Sequence, residues 1–227
     1  MKNTLFINLL LLLTVVMYGQ RNADYGVTGG VTSYIGDINP GRLIYSVQPA
    51  AGVFYRYNLH PRQAFRLNLM AGGLSGNDID FSNNFQQTRA SSFSGVIGEW
   101  SVMFEFNFFP YHTQGRRWNS SPYFAAGAGI AFINTSVFTY TPVIPFSLGY
   151  KINIFRNFGL EAEYGFRKSF YDNFDGLTDN IDPDDHGWYH NNDWYTYTGV
   201  SFTWKIYNKL AGCPVYYDMK NNKKKKH

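Results

Sequence analysis

The chain has 227 residues, 19% of them aromatic and only 16% charged, with 22 glycines and 18 tyrosines. That balance excludes a disordered, highly charged protein and points to a single β-rich domain. The formal charge of +4 sits at the ends, in Lys2 and in the five lysines of KNNKKKKH at 220–227, so the body between them is slightly acidic and offers no nucleic-acid surface.

Residues 1–19 come first. MKNTLFINLLLLLTVVMYG has Lys2, an apolar run from Leu5 to Met17 and a small Gly19, which is the pattern of a signal peptide and too short to cross a bilayer as a helix. No later stretch reaches ~18 apolar residues in a row, so any crossing must be made by strands. Over 20–210 the chain reads as one domain, and YGVTGGVTSY at 25–34 predicts its first strand. AGVFYRYNL then sets Val53, Tyr55, Tyr57 and Leu59 against Arg56 and Asn58. AFRLNLMAG sets Phe65, Leu67 and Leu69 against Arg66 and Asn68. In VIGEWSVMFEFNFF, Trp100, Val102, Phe104, Phe106 and Phe108 oppose Glu99, Ser101, Glu105 and Asn107. A small-residue strand, PYFAAGAGIAFI, follows at 122–133. IPFSLGYKINI opposes Ile144, Phe146, Leu148, Tyr150 and Ile152 to Ser147, Lys151 and Asn153. GLEAEYGFRKS opposes Leu160, Ala162, Tyr164 and Phe166 to Glu161, Glu163 and Arg167. The last strand, TGVSFTWKI, opposes Val200, Phe202, Trp204 and Ile206 to Gly199, Ser201, Thr203 and Lys205.

Period-two alternation with the larger, aromatic face repeated on nearly every strand is the signature of a wall that meets lipid on its outer side. Strands of ~9–11 residues, about eight in number, predict an all-β fold: a single eight-stranded antiparallel transmembrane barrel. At that size side chains fill the lumen, which predicts a polar plug and not a pore. Arg56, Arg66, Lys151, Arg167 and Lys205 balance Glu99, Glu105, Glu161 and Glu163 there, as buried charges must.

With the amino terminus in the periplasm, an even strand count places the carboxyl terminus there too, beside LHPRQ, PYHTQGRRWNSSP and FRNF, with the longer connections outside. The periplasmic turns carry Arg62, Arg116, Arg117 and Arg156, a candidate partner surface. The outward loops carry Asp37, Asp78, Asp80, Asp172, Asp175, Asp179, Asp182, Asp184, Asp185 and Asp193, read as solubilising charge because DNIDPDD lacks calcium-loop spacing. Histidines fall only at 60, 112, 186, 190 and 227, in turns, loops or tail, so no nucleophile is paired with a base. No catalytic group, metal or cofactor is expected. Gly199, Phe202 and Trp204 resemble the last-strand signal of the barrel insertion machinery, with Phe202 and Trp204 against outer-membrane lipid.

SYIGDINP, GNDIDFSNNFQQTRASSF, EFNFFPY, IPFSLGYKIN, GLEAEYGFRKSFYDNFDG, NNDWYTYTGVSFTWKI and GCPVY together resemble the PorG family, small outer-membrane barrels of the Bacteroidetes type IX secretion system. The resemblance covers nearly all of the chain after the signal peptide, and its most specific part is the 76–93 segment, which barrel physics does not dictate. It implies a non-enzymatic barrel whose periplasmic side contacts a ring formed by a lipoprotein and its partner protein. Cys213, the one cysteine, lies in the tail at 211–227 on that same side; without a second cysteine it is a candidate for an intermolecular disulfide with the lipoprotein. A surface adhesion or host-interaction barrel using the acidic loops is the alternative function, and a lipid-modifying enzyme is a third, disfavoured by the histidine positions.

Overall fold

The computed structural model describes residues 23–36, 38–39, 42–82, 84–111, 118–135, 138–155, 157–170 and 194–205. The stretch at 1–19 expected to be a signal peptide and the tail at 211–227 lie outside them. The alternating segments form eight strands: β1 (Ala23–Ile35), β2 (Gln48–His60), β3 (Gln63–Asn77), β4 (Ser92–Asn107), β5 (Ser120–Asn134), β6 (Phe138–Phe155), β7 (Phe158–Ser169) and β8 (Trp194–Lys205). Each pairs antiparallel with its chain neighbour. β8 returns to β1 over a register running from Asp24 opposite Lys205 to Ile35 opposite Trp194, which closes the barrel. Closure removes every unpaired strand edge, the condition for a sheet to stand in lipid.

The strands are longer than the ~9–11 residues expected, from 12 in β7 and β8 to 18 in β6. One end, the turn end, holds the tight β2–β3 connection at Pro61 and Arg62, the β6–β7 connection and the β4–β5 connection. The opposite, loop end holds the 36–47 and 78–91 connections, the second of which contains a short helix α1 (Asn84–Arg89). β5 and β6 also meet at the loop end through only three residues, since both strands extend until Asn134 faces Phe138. Length alone does not separate the two ends, because the 108–119 connection at the turn end is as long as the 36–47 connection at the loop end.

The faces fall as the alternation predicts. Val53, Leu69, Val102, Leu148 and Val200 point outward and are each about half exposed, while Arg56, Glu105 and Lys151 point inward and are at most 1% exposed. A wall apolar outside and charged inside is stable only in a hydrocarbon surround.

The interior is not polar throughout. Charges fill the half nearer the turn end. Toward the loop end Tyr34, Ile38, Leu74, Ile97, Ile133 and Tyr195 form one buried apolar cluster, with Phe81 and Phe93 packed against it.

Candidate functional site

Three features built on the barrel could carry function: the charged plug, the seal at the turn end and a folded cap at the loop end. The plug begins with Arg56 of β2 and Glu161 of β7, which meet in a fork, Nη1 and Nη2 each donating to one carboxylate oxygen at 2.6 Å. The same guanidinium donates from Nε to Glu105 of β4 at 3.2 Å, and Lys151 of β6 also donates to Glu105. Arg66 of β3 donates to Glu163 at 2.6 Å, and the Tyr123 hydroxyl donates to the same oxygen at 2.7 Å. Arg167 joins Glu163 at 3.6 Å and Glu99 at 3.4 Å, and Tyr195 donates to Glu99 at 2.7 Å. Five strands thus contribute charges that lie side by side only because the sheet closes, and each pair supplies the counter-charge that burial demands.

Rings complete the packing. Arg56 and Arg66 both lie over Phe54, at 5.0 and 5.5 Å, and Lys151 lies 4.3 Å from the centre of Tyr123. A void of about 20 Å³, lined by Arg66, Glu99, Glu163, Arg167 and Tyr197 among others, has room for a single water. Arg66 Nε and Arg167 Nη1 have no hydrogen-bond partner among the described residues, and both side chains border this void. The volume is far below what a solute path requires.

The turn end is closed by Tyr111 from the β4–β5 connection. Its amide donates to the Pro61 carbonyl at 2.9 Å and its hydroxyl to Asn153 Oδ1 at 2.7 Å, beneath the Lys151 side chain. Burial pushes its phenol pKa up. Phe108, Phe109, Trp118 and Phe155 are each more than half exposed around this end.

The cap joins the two long loop-end connections. Asp78, fully buried, receives both Nε and Nη2 of Arg89 at 2.7 Å and the Ser91 amide at 3.0 Å. Gln86 of α1 donates to the Ile38 carbonyl at 2.9 Å, pinning the 78–91 connection to the 36–47 connection. Tyr45 donates to Asp80 at 2.6 Å and to the Asn77 carbonyl at 2.9 Å, while its ring packs 4.9 Å from Phe81. Burial first, and then the Asp80 hydrogen bond, pushes its phenol pKa up to about 12. Arg42 stacks 4.6 Å above Phe81. Asp78 and Asp80 are therefore structural, which corrects their reading as solubilising charge.

Of the predicted lumen residues, Arg56, Arg66, Glu99, Glu105, Lys151, Glu161, Glu163 and Arg167 are brought together. Lys205 is not: it is half-buried at the end of β8, and none of these ion pairs includes it. Its alternation parity is right, but the last residue of the strand lies at the mouth and not inside. Arg62 is exposed at the β2–β3 turn, its carbonyl accepting from the Asn107 amide at 2.8 Å. Arg116, Arg117, Arg156 and Cys213 lie outside the described residues, as do Asp37 and the loop aspartates from Asp172 to Asp193. Phe202 faces outward, 40% exposed, whereas Trp204 is half-buried and stacks 6.4 Å from Tyr25. Gly199 is buried at the β1–β8 seam, where a Cβ would run into the Tyr197 hydroxyl, so its small size is a packing requirement. The cap residues Tyr45, Phe81, Gln86 and Arg89 carry no sequence signal of the kind that marks the lumen charges.

Among the described residues no cluster of three or more His, Cys, Asp or Glu side chains is placed to hold a metal. No curated protein matches the chain in sequence. Among solved structures, Neisserial surface protein A is 7% identical, with 81% of this chain covering 97% of that one at a TM-score of 0.53. Ail, the attachment invasion locus protein of Yersinia pestis, is 13% identical over 81% of this chain and 99% of its own, at 0.43. OprG from Pseudomonas aeruginosa is 9% identical over 83% and 99%, also at 0.43. At 7% identity the likeness to Neisserial surface protein A establishes the fold alone, that of an eight-stranded outer-membrane β-barrel. Residues 2–215 match the family described as a domain of unknown function, DUF6089, and the chain belongs to that family.

Proposed function

We propose that this chain is a non-enzymatic outer-membrane component of a type IX protein secretion machine, as in the PorG family it resembles, and that it holds a periplasmic lipoprotein-containing ring at the membrane. The filled lumen carries this reading. A barrel whose cross-section is closed by paired Arg56, Glu105, Glu161, Arg66 and Glu163 has no path for a solute, so its use must lie in its surfaces. The turn end faces the periplasm in this reading. There the exposed Phe108, Phe109 and Trp118 flank the connection that carries Arg116 and Arg117, a mixture of aromatic and basic residues typical of interface anchors.

Isolating the detergent-solubilised barrel from its native membrane and identifying its companions tests the proposal. A periplasmic lipoprotein and its ring partner should come with it, and their absence from crosslinked preparations would overturn the secretion role. Non-reducing electrophoresis of thiol-blocked cells is the second arm: a reducible heavier species that disappears in Cys213→Ser marks the intermolecular disulfide. The loop-end cap favours a second reading, a surface adhesion barrel, because Asp78 with Arg89 and Tyr45 with Asp80 hold two outward connections in one fixed surface. Capture of a host ligand instead of the lipoprotein would decide for it.

A further inference from the structure

Strands β3, β4 and β5 exchange polarity along their length. On β4 the outward residues from Phe106 to Val96 are Phe106, Phe104, Val102, Trp100, Gly98 and Val96, and the next two are Ser94 and Ser92, both exposed. On β5 Phe124, Ile130 and Phe132 are followed by exposed Asn134. On β3 Phe65, Leu67, Leu69 and Ala71 lead to Ser75 and Asn77, which lie opposite Ser94 and Ser92. Ser75 is further hydrogen-bonded to Ser46 at 2.6 Å and to Gln48 at 2.8 Å, making this part of the outer wall a polar patch.

The inward face changes the other way. Below this level it holds Arg66, Glu99 and Glu105; at and near it stand Leu74, Ile97 and Ile133, each at most 2% exposed. Apolar inside with polar outside is the arrangement of a barrel in water, and charged inside with apolar outside is that of a barrel in lipid.

We infer that the bilayer ends on β3–β5 between Val96, Phe132 and Ala71 on one side and Ser94, Asn134 and Ser75 on the other, and that the wall beyond stands in water around a core of its own. The length agrees. From Phe106 to Val96 is about 33 Å of strand, which at a tilt of ~40° spans about 25 Å along the membrane normal, the height of the apolar band on such barrels. β6 departs from the pattern, since Phe138 and Tyr140 keep its outer face apolar to the tip, 65% and 71% exposed, and the boundary is assigned on β3–β5 alone. The inference rests on the membrane placement in the proposed function and is independent of the secretion role.

Single-cysteine variants in the full chain carrying Cys213→Ser, folded into phosphatidylcholine vesicles, test it through the rate of reaction with a hydrophilic maleimide. Ser94→Cys and Asn134→Cys should react at least about tenfold faster than Leu69→Cys and Val102→Cys, each normalised to its own unfolded rate. Equal protection of all four would overturn the boundary while leaving the barrel in lipid. Equal reactivity of all four would overturn the membrane placement and the boundary with it. For any variant that loses heat-modifiable mobility, footprinting of the unsubstituted chain with a photoactivatable lipid separates the same outcomes: label on Leu69 and Val102 with none on residues 92–94 supports the boundary, and label on 92–94 defeats it.

Discussion

Glu163 shows what a single lumen residue does. It accepts from Arg66 and from Tyr123 and also faces Arg167, so three strands depend on one carboxylate. Glu163→Lys leaves two guanidinium groups beside a third positive charge in a space that holds little water. The expected loss is about 3–5 kcal/mol, read as a lowered unfolding midpoint in detergent, and an unchanged midpoint would mean that the pairs contribute nothing net. Tyr45 makes a contrasting, pH-dependent contribution in the cap. Its phenol titrates near 12 in the folded cap, above the ordinary tyrosine value of about 10, so the neutral form is the one that the fold favours. The stability it adds is fully present below pH ~10 and is lost as the pH rises toward about 12. Protease cleavage within 78–91 should therefore increase over that interval, and Tyr45→Phe should remove the pH dependence by removing the titrating group.

Within one strand, β3 places two leucines on opposite faces with opposite consequences. Leu74 points into the apolar cluster and is 1% exposed, whereas Leu69 points out and is 53% exposed. Leu74→Ala should cost about 2–5 kcal/mol in urea unfolding, with Leu69→Ala well below it, because lipid fills the space beside the shortened side chain while a closed core cannot. The alternation itself was legible in the sequence: Arg66, Glu105 and Glu163 sit at inward positions of clear period-two runs, and period two is what a sheet wall demands. The change of core was not legible. Leu74 and Ile97 keep the same parity as the charges below them on β3 and β4, and Ile133 that of the small inward residues of β5, so they read as a continuation of the strand and not as a second interior. The cap escapes a sequence reading for another reason. Asp78 and Arg89 are eleven positions apart and meet only after a 3-10 turn and a six-residue helix, too short to show a 3.6-residue period. Asp78→Asn should free this connection to proteolysis while the barrel keeps its heat-modifiable mobility.

The whole barrel answers to its surround. Leu148→Arg, at mid-height of the outer wall and 61% exposed, should cost about 2–4 kcal/mol in vesicles, and Trp204→Arg, one residue from the end of β8, about 1 or less. Planar bilayers containing the barrel should show no stepwise conductance, since the plug spans the wall from Arg56 to Glu161; discrete openings would show that the plug moves. The same plug constrains the order in which the molecule can form. Arg56 meets Glu105 49 residues further on but waits for its forked partner Glu161, 105 residues on, and Arg66 waits for Glu163, 97 residues on. Until β7 arrives one carboxylate, Glu105, faces both guanidinium groups and water must supply the rest, so the nascent sheet must stay open and wet on its inner side. The apolar cluster toward the loop end recruits Tyr195 and Tyr197 of β8, the last strand to be made. Drying of the interior, pairing of the charges and joining of β8 to β1 are then one late event, and the barrel should fold slowly and without a stable half-built state.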